Sequence, residues 1–233
     1  MSGADIRAVL FDMDGTLVDT APDIAVSLNT VLRSNGLDML AATDITNMVG
    51  KGARVLVERA ITAGGRNPDD TLVNAVTEQY LREFSHTRGK HGSAFAGGVE
   101  CLRELHRRGF KLGVVTNAVQ RSAEATLAHY GLLKHIDVVF GGDQTSKPKP
   151  HPEPLWIVCR KLGIPAAKTL VVGDSANDVA AARAAGCWIA CVPHGYNEGR
   201  PVEDLGCPIV DRLQDLPVWL ESIPAQARSS SAA

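Results

Sequence analysis

Asp12 and Asp14 stand two residues apart in the run Asp12-Met13-Asp14-Gly15-Thr16, directly after the apolar stretch Ala8–Phe11. If the backbone stays extended there, both side chains project the same way with their Cβ atoms about 6.5 Å apart. Carboxylates that close repel unless a cation or a shared proton lies between them. Carboxylate and carbonyl oxygens suit a hard cation such as Mg²⁺. A simple turn is the plainer account of the same residues. A calcium loop is rejected, because Leu17 fills the sixth position from Asp12, where such a loop requires glycine. The run Gly173-Asp174-Ser175-Ala176-Asn177-Asp178 brings two further carboxylates. Ser175 and Asn177 are good helix caps, but capping alone does not require Asp174 and Asp178 as well.

Two other segments carry groups suited to an anion. Thr116-Asn117 follows an apolar run, and a hydroxyl with neighbouring backbone N–H groups can hold phosphate oxygens. Lys147-Pro148-Lys149-Pro150-His151-Pro152 cannot be helical, since each proline lacks a donor and restricts the residue before it. A rigid loop of this kind can present Lys149 to a cluster of acids, while Lys147 reads as a solvated surface lysine.

These groups need a scaffold to bring them together. Five short apolar runs read as buried strands: Ala8–Phe11, Lys111–Val115, Ile136–Phe140, Thr169–Val172 and Trp188–Val192. Helical patterns separate them: Val99–Arg108, Ala123–Tyr130, Pro152–Leu162 and Asn177–Ala185, each followed closely by glycine. Alternating strands and helices argue for an α/β fold, a Rossmann-like parallel sheet flanked by helices. Ligands of such sheets bind outside the carboxyl ends of the strands, where Asp12, Thr116 and Asp174 all fall. The interval between Asp12 and Lys111 is far too long for a strand-to-helix connection. It contains one amphipathic stretch with Ile24, Leu28, Val31 and Leu32 on a face, and two more over Val55–Ala60 and Leu72–Phe84. We therefore expect a core built from residues 1–17 and 91–223, a helical insertion over residues 18–90, and a tail without structure over residues 224–233.

Composition narrows the function classes. The 233 residues carry 24 Lys+Arg against 26 Asp+Glu, a formal net charge of −2, with 45% hydrophobic and 21% charged residues. That balance does not suit a protein whose main task is neutralising nucleic acid phosphates. No apolar run reaches the roughly eighteen residues of a membrane span. Five cysteines without a CxxC pair read as buried reduced thiols, which favours the cytoplasm.

In this order, the segments DMDGTLVDT (12–20), VVTN (114–117), KPHPEP (149–154) and VVGDSAND (171–178) resemble the haloacid-dehalogenase-like superfamily of aspartate-nucleophile phosphotransferases. The insertion looks like that superfamily's helical cap, and MVGKGARVL (48–56) is similar to the cap loop of its phosphoglycolate phosphatase subgroup. The resemblance implies that Asp12 attacks phosphorus and Asp14 acts as general acid and base. It further implies that Mg²⁺ is held by Asp12, the backbone carbonyl of Asp14, and Asp174, with Asp178 and Ser175 orienting that shell. Thr116, the N–H of Asn117 and Lys149 would neutralise the transferring phosphoryl group. Gly50, Lys51 and Arg54 are expected to contact the substrate's leaving group. The implied activity is Mg²⁺-dependent hydrolysis of a small phosphomonoester, with 2-phosphoglycolate the leading substrate, by a monomer or homodimer. A phosphatase of another sugar or amino-sugar phosphate, a phosphosugar mutase and a non-catalytic binding protein are the alternatives.

Overall fold

The computed structural model describes residues 5–223, so the expected tail over 224–233 lies outside the described residues. At its centre is β1 (Ala8–Phe11), every residue of which is at most 1% exposed. A parallel strand covered on both faces must be apolar throughout, which is why this run lacks the alternation of a half-exposed strand. β1 leads into a short antiparallel ribbon, β2 (Val18–Asp19) with β3 (Ser93–Ala94), paired Val18 to Ala94 and Asp19 to Ser93. The sheet continues with β4 (Lys111–Val115), β5 (Val138–Phe140), β6 (Thr169–Gly173) and β7 (Trp188–Cys191). Its order is β5-β4-β1-β6-β7, with every pair parallel. β5 starts later than the apolar run suggests, because Asp137 receives the Leu112 N–H on its side chain at 2.8 Å.

Side chains alternate across the strands. Val9 and Phe11 face a cluster with Leu102 and Leu105 of α5 (Gly98–Arg107), Leu127 of α6 (Gln120–His129) and Leu216 of α9 (Leu216–Ser222). Leu10 faces the other way, toward Leu155 and Val158 of α7 (Glu153–Leu162) and Ala181 of α8 (Ala176–Ala185).

Residues between the two ribbon strands form α1 (Ala21–Ser34), α2 (Ala42–Thr46), α3 (Ala53–Ala63) and α4 (Asp70–Thr87). They share their own apolar cluster, with Leu28, Leu32, Val57, Ile61 and Val76 buried in it. α3 and α4 both overrun the expected stretches. α4 begins early because the Asp69 carboxylate caps it, accepting the Leu72 N–H at 2.9 Å. Asp23, only 1% exposed, accepts the N–H groups of Gly89 (2.7 Å) and His91 (2.9 Å), so the returning chain is pinned to the start of α1. All five cysteines are free thiols. Cys101, Cys159 and Cys191 are buried as expected, while Cys187 and Cys207 are only half-buried. Among the described residues no helix is long and apolar enough to cross a membrane.

Candidate active site

The chain order reverses on either side of β1, and its end opens on the crevice where α/β sheets bind ligands. Phe11 is level with Val114 and Val172, so Asp12, Thr116 and Asp174 emerge side by side from three neighbouring strands. Lys149, from the proline-rich loop after β5, is 4% exposed and reaches beneath them. Its Nζ lies 3.0 Å from Asp12 Oδ1 and 2.6 Å from Asp178 Oδ1. Oxygens of Asp12, Asp174 and Asp178 all lie within 4.8 Å of one another, and all three side chains are buried.

One ammonium among these acids leaves an excess of negative charge. Burial, together with Asp178 and Asp14, pushes the Asp12 carboxyl up to about 7 despite the opposing pull of Lys149. Burial and the charges of Asp178 and Asp12 raise Asp174 well above the usual carboxylate range. Burial likewise raises Asp14, against the Thr20 hydroxyl and Lys149. On Lys149, burial works to lower the ammonium pKa, but Asp12 and Asp178 outweigh it and the net shift is upward. A cluster of hard oxygen donors that repel one another in this way is suited to a divalent cation, so the residues fit a metal. Asp178 lies beside Asp12 and Asp174, with one oxygen taken by Lys149 at 2.6 Å. Its other oxygen is already committed, receiving the Ser175 hydroxyl at 2.7 Å and the Ser175 N–H at 3.2 Å. That pairing also opens α8.

Asp174 is fixed from two sides, by the Thr16 hydroxyl at 2.7 Å and the Tyr196 N–H at 2.6 Å. Gly15 and Gly195 let backbone pass close to it: a Cβ on either would come within 2.3 Å of Asp174 Oδ2. Asp14 turns away from the cluster and receives the Thr20 hydroxyl at 2.6 Å. Thr116 Oγ1 accepts the Ala118 N–H at 3.1 Å, leaving its own proton free to donate.

Asp12, Asp14, Thr116 and Asn117 open onto a cleft between the sheet edge and the helical insertion. The insertion supplies Gly50, Gly52, Ala53, Leu56, Tyr80 and Phe84 to its wall. The Gly50 carbonyl accepts from Asn117 Nδ2 at 2.9 Å and from Asn177 Nδ2 at 3.3 Å, which seats this loop on two of the sequence motifs. Lys51 and Arg54 are not brought to the cleft. Lys51 Nζ pairs with Glu198 at 2.8 Å, and Arg54 binds Asp70 and Asn74 at the exposed junction of α3 and α4. Of the three residues expected to meet a leaving group, Gly50 lines the cleft, while Lys51 and Arg54 each pair with a carboxylate beside it.

Sequence reading missed Thr16, Thr20, Tyr80, Gly195 and Tyr196. The two threonines lie inside the DMDGTLVDT motif, where a hydroxyl two or six residues from Asp14 was a usable signal. The tyrosines and Gly195 have no such spacing and are found only through the fold.

A buried carboxylate beside a second acid, a buried lysine and a metal-competent cluster thus meet at the carboxyl edge of a parallel α/β sheet. Residues 9–192 match the family model described as haloacid dehalogenase-like hydrolase, and the chain belongs to that family. Its relatives include the phosphoglycolate phosphatase of Nitrosospira multiformis, 40% identical over 206 residues that cover 88% of this chain and 91% of that protein. The plasmid phosphoglycolate phosphatase of Cupriavidus necator is 39% identical over 214 residues, covering 91% and 92% respectively. Among solved structures, a predicted phosphoglycolate phosphatase from Haemophilus somnus superposes with a TM-score of 0.87 at 28% identity, covering 92% of this chain and 98% of that one.

Proposed function

We propose that this protein hydrolyses a small phosphomonoester, 2-phosphoglycolate, to glycolate and inorganic phosphate through an aspartyl-phosphate intermediate. The observation that carries the reading is the meeting of Asp12, Asp14, Thr116, Lys149 and Asp174 at one sheet edge, supported by the similarity to phosphoglycolate phosphatases. An Asp12 carboxylate oxygen attacks phosphorus as the ester P–O bond breaks. Asp14 gives its proton to the departing glycolate oxygen, and its raised pKa suits that task. In the second half, Asp14 takes a proton from the water that attacks the aspartyl phosphate, releasing phosphate and restoring Asp12. The Thr116 hydroxyl, the Asn117 N–H and the Lys149 ammonium surround the phosphoryl oxygens and stabilise their charge in flight.

Asp12, the Asp14 carbonyl and Asp174 would hold Mg²⁺, with Asp178 and Ser175 fixing their orientation. The ion's contribution when bound is to neutralise negative charge shared between the carboxylates and the phosphoryl oxygens. The helical insertion serves as the cap over the cleft. The partner is thus a small phosphorylated metabolite, met in the cytoplasm by a monomer or homodimer.

The test is Asp12→Asn assayed for phosphate release with Mg²⁺ present. Turnover should fall by more than about a thousandfold with the fold retained. Activity close to wild type would refute the mechanism, and an isomerised product without free phosphate would favour a mutase.

A further inference from the structure

The insertion's wall of the cleft carries two polar features that have no hydrogen-bond partner among the described residues. α3 begins at Ala53 with Gly52 as its N-cap and no side chain capping it. The first helical bond there is Leu56 N–H to the Gly52 carbonyl, at 3.1 Å. The N–H groups of Ala53, Arg54 and Val55 therefore have no acceptor among the described residues, and Gly52 and Ala53 line the cleft. Unsatisfied N–H groups at a helix start carry partial positive charge and favour an anion.

The second feature is independent of the first. Tyr80, on α4, is only 5% exposed and lines the same cleft, yet its hydroxyl makes no hydrogen bond among the described residues. The ring is buried but the hydroxyl is open to the cleft, so its donor is available to a bound group. Burial and the nearby charge of Asp14 push its pKa up, so it remains a proton donor at every working pH. The cations that could compete for an anion here, Lys51 and Arg54, are turned outward to Glu198 and Asp70.

We propose that the Tyr80 hydroxyl and the free N–H groups at the start of α3 form a carboxylate subsite that selects substrates whose leaving group ends in –COO⁻. This inference rests on the phosphoglycolate reading and names the groups that would enforce it. The subsite is neutral overall, built from dipoles, so it recognises the carboxylate without adding a cation beside the acid cluster.

The test compares kcat/KM for 2-phosphoglycolate with that for ethyl phosphate, which lacks the carboxylate, in wild type and two variants. Tyr80→Phe removes one donor at constant shape. Ala53→Pro removes one N–H at the first helical position, where proline is tolerated, after a Gly52 already at ψ 167. Each variant should lower the ratio of the two constants about tenfold, as expected for a hydrogen bond to a charged group. A wild-type ratio near one overturns the phosphoglycolate reading itself. A high wild-type ratio retained by both folded variants overturns the subsite alone. Thermal melts of all three proteins establish that the variants are folded.

Discussion

Lys149→Met is the substitution that most directly probes how the site is balanced. The methionine keeps the length of the side chain but removes the ammonium that, among the described residues, pairs with Asp12 and Asp178. Removing one partner of a buried pair typically costs about 3–5 kcal/mol, because the remaining charge is stranded. Here the acids can respond by binding protons, so the cost must depend on pH. Asp12 is already held at about 7 in the folded chain, against about 3.9 in an unfolded one. A raised carboxylate contributes stability at low pH, and that stability is lost as pH rises through the folded value. Without the downward pull of Lys149 the Asp12 carboxyl should titrate above about 7, so from that pH upward the folded variant keeps a proton that wild type has released and the unfolded chain lacks. Linkage then makes the variant lose about 1.4 kcal/mol per pH unit relative to wild type above about pH 7, with no such loss between about pH 5 and 6. Urea unfolding in EDTA at pH 5, 6, 7 and 8 measures this directly. A stability gap that stays constant across those pH values would show that the four acids and Lys149 do not act as one electrostatic unit.

Two further substitutions test separate parts of the site. Gly195→Ala would place a Cβ 2.2 Å from that of Asp174. The displaced carboxylate should weaken Mg²⁺ activation by about tenfold or more; a Mg²⁺ titration indistinguishable from wild type would contradict this. Arg54→Ala should leave kcat/KM for 2-phosphoglycolate within about twofold and stability within about 1 kcal/mol, because its ion pair with Asp70 is exposed. A tenfold drop would return the side chain to the cleft.

How much of this was legible in the sequence depends on whether a feature is local. Ala8–Phe11 and Thr169–Val172 announce themselves as strands, since burial on both faces demands unbroken apolar runs. Asp12, Thr116 and Asp174 could be assembled from the rule that parallel sheets bind at their carboxyl edge. Contacts made by distant chain were not readable. α6 begins three residues before its apolar pattern because Asp143, from another loop, accepts the Gln120 N–H at 2.7 Å. Lys51 and Arg54 looked like substrate ligands because their acids, Glu198 and Asp70, lie far along the chain or on the facing helix. Tyr80 reads as one more apolar position on α4; only the fold reveals that its hydroxyl opens on the cleft without a partner among the described residues.

The strand order also bears on how the chain is made. Among the described strands β1 precedes all the others in the chain, yet it sits in the middle of the sheet, with β4 and β6 as its neighbours. One of its edges waits for Lys111 and the other for Thr169, and Asp174 is not held on both sides until Tyr196 follows. A nascent chain therefore carries Asp12 long before Lys149 and Asp174 exist to meet it. Such long-range pairing slows folding, and a fragment ending before β6 keeps Asp12 but lacks the acid cluster around it.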